Sequence, residues 1–566
     1  MRRGSSRLAR AAVAVAAGLA VTVASVGATG VAPVGGASGE AQARRPYLVF
    51  YADGARAEAE RAVREAGGAL RAQGGDPRLG YVVADGAGGF ARALSGSDAV
   101  VGVSSNRRIG TARGIRAASV ARAVPAVDKD LAGHADLTGA IGSAPEPLAD
   151  RQWDMKMIGA TAEKSYAGAP GDKRVLVGVI DTGVDGKHPD IAPNFNRELS
   201  RNFVVDKPTD PNGEKLDGAC EHTGCKDPVD VDDDGHGTHV ASTIASPING
   251  LGVAGVAPRV TIVNVRAGQD SGLFFLKPSL DALTYAADAG IDVVNMSYYI
   301  DPWLFNCEDN PADSPEERLE QRGIIVGMQR ALDYARGKGV TLISAIGNGA
   351  TDLGNPERDA TSPDYPLGKE RTRKIDNSCL NVPAESKGVI SVSAVGPDKV
   401  KTGYSDYGIE QTDLTAPGGD ATDGDATKGI LAAAPENVVR AQGLVGADGM
   451  PKSSSVVRDC KGATCAYYQY LQGTSMAAPH ATGVAAILIS RFGRGGQGAK
   501  GGADGLTMDP AEVQRLLYQT AVPLACPVPR RHSYQNQSHE CEGDSVRNGF
   551  YGRGLVDAAN AATVKP

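Results

Sequence analysis

Gly473-Thr474-Ser475-Met476-Ala477-Ala478-Pro479-His480 is followed by an apolar run over residues 481–490 that reads as a buried helix. Ser475 then stands at the N-terminus of that helix, where free backbone N–H groups and the helix dipole favour a developing negative charge. A lone serine cannot attack an amide at neutral pH. It needs a base to take its proton and donors to hold the oxyanion that forms. Taken alone, the stretch is better read as a Ser/Thr cap on a core helix. Two other stretches supply the missing partners.

Working outward, short β-branched runs at residues 175–180, 260–265, 291–296, 340–346 and 389–395 alternate with helical patterns such as 280–289 and 324–336. This alternation predicts an α/β fold, a doubly wound parallel sheet with helices on both faces. Ligands of such sheets sit beyond the carboxyl ends of the strands.

The first run ends Val179-Ile180-Asp181-Thr182-Gly183. A carboxylate ending a buried strand is costly unless partnered. Aspartic peptidases use Asp-Thr-Gly too, but as two loops sharing a proton, and this chain has one. Asp234-Gly235-His236-Gly237-Thr238-His239 follows. It lacks the His-Glu-x-x-His spacing of zinc peptidases. His236 opens an apolar helix from which its ring can reach a strand end, and His239, one turn on, reads as a core histidine. The acidic residues Asp230, Asp232, Asp233 and Asp234 read as a solvated loop. The strand ending Ala345-Ile346-Gly347-Asn348-Gly349 offers the Asn348 amide as an oxyanion donor; a turn asparagine is the alternative.

Together these stretches resemble the subtilisin-like serine proteases. The matching residues are 179–190, 235–241, 252–258, 292–297, 345–348 and 473–480. Their order Asp, His, Ser is the subtilisin order, whereas α/β-hydrolases run Ser, Asp, His and use G-x-S-x-G. The resemblance spans residues 152–562. It implies Ser475 as nucleophile, His236 as base and Asp181 as the residue that holds the imidazole. The Asn348 side chain and the Ser475 N–H would bind the oxyanion. Ser297, Tyr298, Tyr299, Ala345, Ile346 and Gly347 would line an extended substrate. Gln152, Asp190 and Asn249 match positions that hold structural calcium in some members, and no cofactor is implied for the chemistry. Where the family continues Ser-Leu-Gly, this chain has Ser297-Tyr298-Tyr299, and residues 301–322 look inserted beside the same edge. Two other classes, a non-catalytic binding protein on this fold and an esterase, are weighed against. All four polar residues are intact, and an N-terminal propeptide-like unit is present.

That unit lies over residues 44–112, with strands at 47–52, 79–84 and 100–103 and helices at 55–66 and 88–94. It resembles the inhibitory propeptide of the same family. Residues 113–150 read as a linker and 151–566 as the catalytic domain. Residues 1–28 read as a secretory signal peptide, basic and then apolar, with cleavage after Ala28 or after Ala43. Export, protein or peptide substrates and self-inhibition by the propeptide are therefore expected. A membrane partner is not expected once the signal is cut. The net charge of -7 carries no basic excess, which speaks against nucleic acid. Eight cysteines in an exported chain suggest disulfides. Short spacings favour Cys220–Cys225, Cys460–Cys465 and Cys526–Cys541, leaving Cys307 for Cys379. Activity is expected to rise with pH through neutrality, since an unperturbed His titrates near pH ~6.5.

Overall fold

The five β-branched runs form the centre of a seven-stranded sheet. The order is Leu414–Pro417, Val389–Val395, Thr341–Ala345, Val293–Met296, Leu176–Ile180, Thr261–Arg266 and Arg201–Asn202. Every pairing is parallel. The computed structural model describes residues 44–105, 145–495 and 505–565. Val177 and Val179 pack on one face, with the helices His236–Ala245 and Thr474–Phe492. Leu176 and Ile180 pack on the other, with Leu276–Ala289 and Pro315–Gly337. Strands buried on both faces carry near-continuous apolar runs, which is why the sequence announces them. The doubly wound reading holds.

Boundaries moved where caps are polar. The helix expected at 324–336 begins at Pro315, behind a capping box between Ser314 and Glu317. The second part of the apparent insertion 301–322 is therefore its first turns. The rest is tied down by Cys307–Cys379. Arg373, fully buried, donates to Asp313 Oδ2 at 2.8 Å, Asp359 Oδ2 at 2.6 Å and the Phe305 carbonyl at 2.7 Å. Residues 301–322 and 349–380 thus form one braced layer. All four expected disulfides are present.

The N-terminal unit is a four-stranded antiparallel sheet ordered Ala69–Leu70, Tyr81–Gly86, Arg45–Tyr51, Val100–Ser105, with helices Arg56–Glu65 and Phe90–Leu94. It sits on the Leu276–Ala289 and Pro315–Gly337 helices. Leu48, Phe50 and Leu79 share a core with Leu283, Met328 and Leu332. Backbones meet closely at Gly102, where a Cβ would stand 2.4 Å from Gly323 Cα. Arg330 Nη1 donates to the carbonyls of Tyr51, Leu79 and Gly80 at 3.1, 3.3 and 3.3 Å. The exposed pairs Arg78–Asp288 and Arg92–Glu316 add little beyond register.

The expected signal peptide and residues 106–144 of the propeptide–linker stretch lie outside the described residues. Residues 145–150, read as linker, are instead part of the catalytic body. Leu148 is buried and its N–H donates to the Gly252 carbonyl at 2.9 Å. The carboxylate of Glu146 accepts from the Gly250 N–H. Among the described residues no helix is long and apolar enough to cross a membrane.

Candidate active site

Asp181 ends the Leu176–Ile180 strand with its side chain fully buried. Its Oδ1 accepts from the Thr182 N–H at 2.8 Å and lies 2.7 Å from His236 Nδ1. A carboxylate only accepts, so in the neutral imidazole the proton sits on Nδ1 and Nε2 keeps its lone pair. His236 is the first residue of its helix, and the chain there runs close against the strand end. A Cβ on Gly237 would lie 2.1 Å from the Gly183 carbonyl oxygen. Asp232 caps this start. Its Oδ1 accepts from the Gly235 N–H and Thr182 Oγ1, and its Oδ2 from the N–H and Oγ1 of Thr238. The solvated-loop reading of the acidic run is therefore corrected. Asp230 and Asp232 are 3% and 1% exposed because the helix start and neighbouring cations claim them. His239 is a core histidine as expected, with Nε2 against the Ile430 and Gln469 carbonyls.

Ser475 is the second residue of the Thr474–Phe492 helix. Pro479 lies four residues on and has no N–H, so the Ser475 carbonyl loses its helical donor. Ser297 Oγ replaces it at 3.1 Å, and Ser475 Oγ donates back to the Ser297 carbonyl at 3.4 Å. This exchange pins the nucleophile candidate to the end of the Val293–Met296 strand. Among the described residues no hydrogen bond joins Ser475 Oγ to His236. Opposite, Asn348 Oδ1 accepts from the Thr474 N–H at 2.9 Å and from Thr474 Oγ1 at 3.0 Å. With its oxygen held by two donors, the Asn348 NH₂ is left to donate into the cleft. Nothing in the sequence singled out Thr474 for this task.

Charge is concentrated on the histidine side. Burial alone would lower the His236 pKa, but Asp181, joined by Asp234 and Asp232, pushes it up to about 9. Burial pushes the Asp234 carboxyl up to about 6. The surrounding carboxylates thus act on the base in the alkaline direction.

These groups face one cleft of about 490 Å³. His236, Ser475, Asn348, Ser297, Tyr298, Tyr299, Ala345 and Gly347 line it. Ile346 does not. Its side chain points the other way, fully buried with Phe305, Leu353 and Ile375, because alternate strand residues face opposite sides. Tyr298 lies flat on Phe274, centroids 4.2 Å apart, so its ring walls the cleft rather than filling it. Tyr299 donates to Asp364 Oδ2 at 2.6 Å, which fixes the other wall. The cleft also takes in Asp301, Thr361 and Asn381. Residues 361 and 381 come from a long irregular stretch with no local motif to betray them.

The three side chains matched to calcium do come together, but as a protein-only cluster. Asp190 Oδ1 accepts from Asn249 Nδ2 at 3.0 Å and Oδ2 from the Val253 N–H at 3.1 Å. Asn249 Oδ1 accepts from the Leu251 N–H, and the Gln152 amide bonds both ways with Ala254. Calcium needs six to eight oxygens facing one centre. Here each of these side-chain oxygens accepts from one N–H and keeps a further lone pair.

The model of the subtilase family matches residues 172–554. Subtilisin DY of Bacillus licheniformis is 25% identical over 70% of this chain and 93% of its own length. The nisin leader peptide-processing serine protease NisP of Lactococcus lactis is 28% identical over 61% of this chain, which spans only 44% of that relative. Among solved structures, the epidermin leader peptide processing serine protease EpiP of Staphylococcus aureus is 21% identical. It superposes with a TM-score of 0.57 over 92% of this chain and 99% of its own, a likeness of fold. The family model covers more than half of the chain, including the strand end at Asp181, the helix start at His236 and the Ser475 helix. The chain therefore belongs to the subtilase family and is a subtilisin-like serine endopeptidase.

Proposed function

We propose that the protein is a secreted endopeptidase made as a self-processing zymogen, with Ser475, His236 and Asp181 as its triad. His236 Nε2 takes the Ser475 proton as Oγ attacks the scissile carbonyl, then gives it to the leaving amine. Asp181 keeps the imidazole in the required tautomer and stabilises the imidazolium. Asn348 Nδ2 and the Ser475 N–H hold the oxyanion. Water then releases the acyl group by the reverse relay. The observation that carries this reading is the 2.7 Å contact of His236 with buried Asp181, in one cleft with Ser475 and an Asn348 amide whose oxygen is already engaged.

Residues 44–112 act as the inhibitory propeptide and 113–144 hold the cut. Support comes from the shared core of Phe50 and Met328 and from the Arg330 contacts. Residues 1–28, or as far as 43, direct export. Substrates are proteins or peptides bound as extended strands beside Ser297 and Ala345. Relatives named for leader-peptide processing favour a defined peptide over bulk protein as the natural substrate. The chemistry of this scheme uses no metal, and a calcium ion held by Asp190, Asn249 and Gln152 would act on stability alone.

The test is Ser475→Ala, expressed beside the wild type in a host without other secreted proteases. The wild type should appear at a smaller, mature mass and hydrolyse peptides. The variant should stay folded at precursor mass and be inactive. A variant that matures normally would rule out self-processing by Ser475.

A further inference from the structure

Behind Asn348 lies a second, buried layer that the triad scheme does not use. The turn 347–351 folds around the carboxylate of Asp406, which is 1% exposed. Asp406 Oδ1 accepts from the Thr351 N–H at 2.7 Å, and the Asp406 N–H donates to the Gly347 carbonyl at 3.0 Å. Gly347 has φ +122, and a Cβ there would stand 2.2 Å from Asp406 Oδ2, so the turn touches the carboxylate directly. Ala350 and Tyr407 donate across the same seam, to the Tyr404 and Thr351 carbonyls at 2.8 and 3.0 Å.

The segment carrying Asp406 is braced from its far side by Lys401, which is fully buried. Its Nζ donates to the Thr402 and Ser405 carbonyls at 2.9 and 2.7 Å. The ammonium also lies 4.8 Å from the Tyr407 ring, 5.4 Å from Tyr534 and 5.3 Å from Phe550. Tyr534 belongs to the hairpin closed by Cys526–Cys541, and its hydroxyl donates to the Lys401 carbonyl at 2.6 Å. A surface hairpin, a caged lysine, a buried carboxylate and the Asn348 turn thus form one contiguous chain. A carboxylate in this position is expensive unless its acceptors are used, and it spends one on the Thr351 N–H of that turn.

We propose that Asp406 and Lys401 are positioning residues for the oxyanion donor: Asp406 holds the turn that aims the Asn348 NH₂, and caged Lys401 holds Asp406. This inference rests on Asn348 being that donor. A donor misplaced by a fraction of an ångström loses most where charge develops, so the loss belongs in kcat rather than KM.

The experiment is a double-mutant cycle on the mature form of each variant with a peptide substrate. Asn348→Ala alone should lower kcat by about 10²–10³. Asp406→Ala should lower kcat by about 10–100-fold with KM within about twofold, and Asp406→Asn, which keeps an acceptor for Thr351, should recover most of it. In the Asn348→Ala background Asp406→Ala should cost almost nothing further. Tyr534→Phe, a milder change at the hairpin, should give a few-fold loss (~3) of kcat that also vanishes in that background, and it serves if Asp406→Ala does not fold. Losses that multiply independently of Asn348, or a lowered Tm with unchanged kcat, would overturn the inference. An Asn348→Ala enzyme with full kcat would instead overturn the oxyanion reading itself, and this inference with it.

Discussion

The two sides of Ser475 are organised by different forces. On one side, His236 is surrounded by carboxylates: Asp181 at 2.7 Å, with Asp232 and Asp234 close enough to raise it. On the other, Asn348 is set by neutral hydrogen bonds from Thr474 and by its glycine-flanked turn. The charged side is tunable by pH, because its strength depends on which groups hold protons. The other side acts through neutral donors and depends on ångström-scale placement. Catalysis on this scheme needs both, so their failures should look different.

The largest effect should come from breaking the charged side. Asp181→Asn keeps the shape but no longer requires the proton on Nδ1, and kcat should fall by about 10⁴ with little change in KM. Steady-state kinetics on a peptide substrate reads both. On the neutral side, Asn348→Ala should cost about 10²–10³ with its pH profile unmoved. A shifted profile there would erase the distinction between the two sides. Thr474→Ala removes the hydroxyl that holds Asn348 Oδ1 but leaves the backbone donor, so a loss of about 3–10-fold is expected.

The pH profile sharpens the comparison with the smallest perturbation. His236 must be neutral to act as base, and its pKa is raised to about 9, so kcat/KM should climb with pH until about 9. Asp234→Asn removes one of the charges that raise it, and the limb should move to lower pH with the plateau nearly unchanged. The stability contribution of this pairing runs the other way. A raised histidine stabilises fully below its ordinary pKa of ~6.5 and loses that contribution as pH rises through about 9. Activity should therefore be highest where this contribution has been lost, which melting curves across the same range would reveal. A limb at neutral pH in both proteins would mean that the surrounding carboxylates do not act on His236.

Much of the frame was legible because it rests on local signals. Parallel strands buried on both faces print Val/Ile runs, and the residues at their ends, Asp181 and Asn348, follow from topology. His236 and Ser475 sit at helix starts marked by glycine and apolar runs. What escaped is what depends on distant pairing. Asp232 reads as a solvated acid because it sits among other acids, and the distant one of its four donors, Thr182 Oγ1, comes from the strand end fifty residues earlier. Residues 361 and 381 reach the cleft through an irregular stretch whose order rests on Arg373 and Cys307–Cys379. Ile346 was misplaced by one step of strand alternation. The hydrogen bonds that tie Asp190 and Asn249 to each other and to the Val253 and Leu251 N–H groups escaped as well, because residue types at matching positions do not say which way backbone N–H groups point.

The grip of Arg330 on the N-terminal unit has a consequence for anyone searching that unit by mutation. Its acceptors are the main-chain oxygens of Tyr51, Leu79 and Gly80. Replacing the Tyr51 or Leu79 side chain leaves those oxygens where they are, so a scan of the unit would score both positions for their packing and pass over the contact. Two positions give it away. One is Arg330 on the partner helix. The other is Gly80, where an added Cβ would stand 2.4 Å from Nη1. The contact is written into the path of the chain rather than its spelling, and a unit of quite different sequence that followed the same path would keep it.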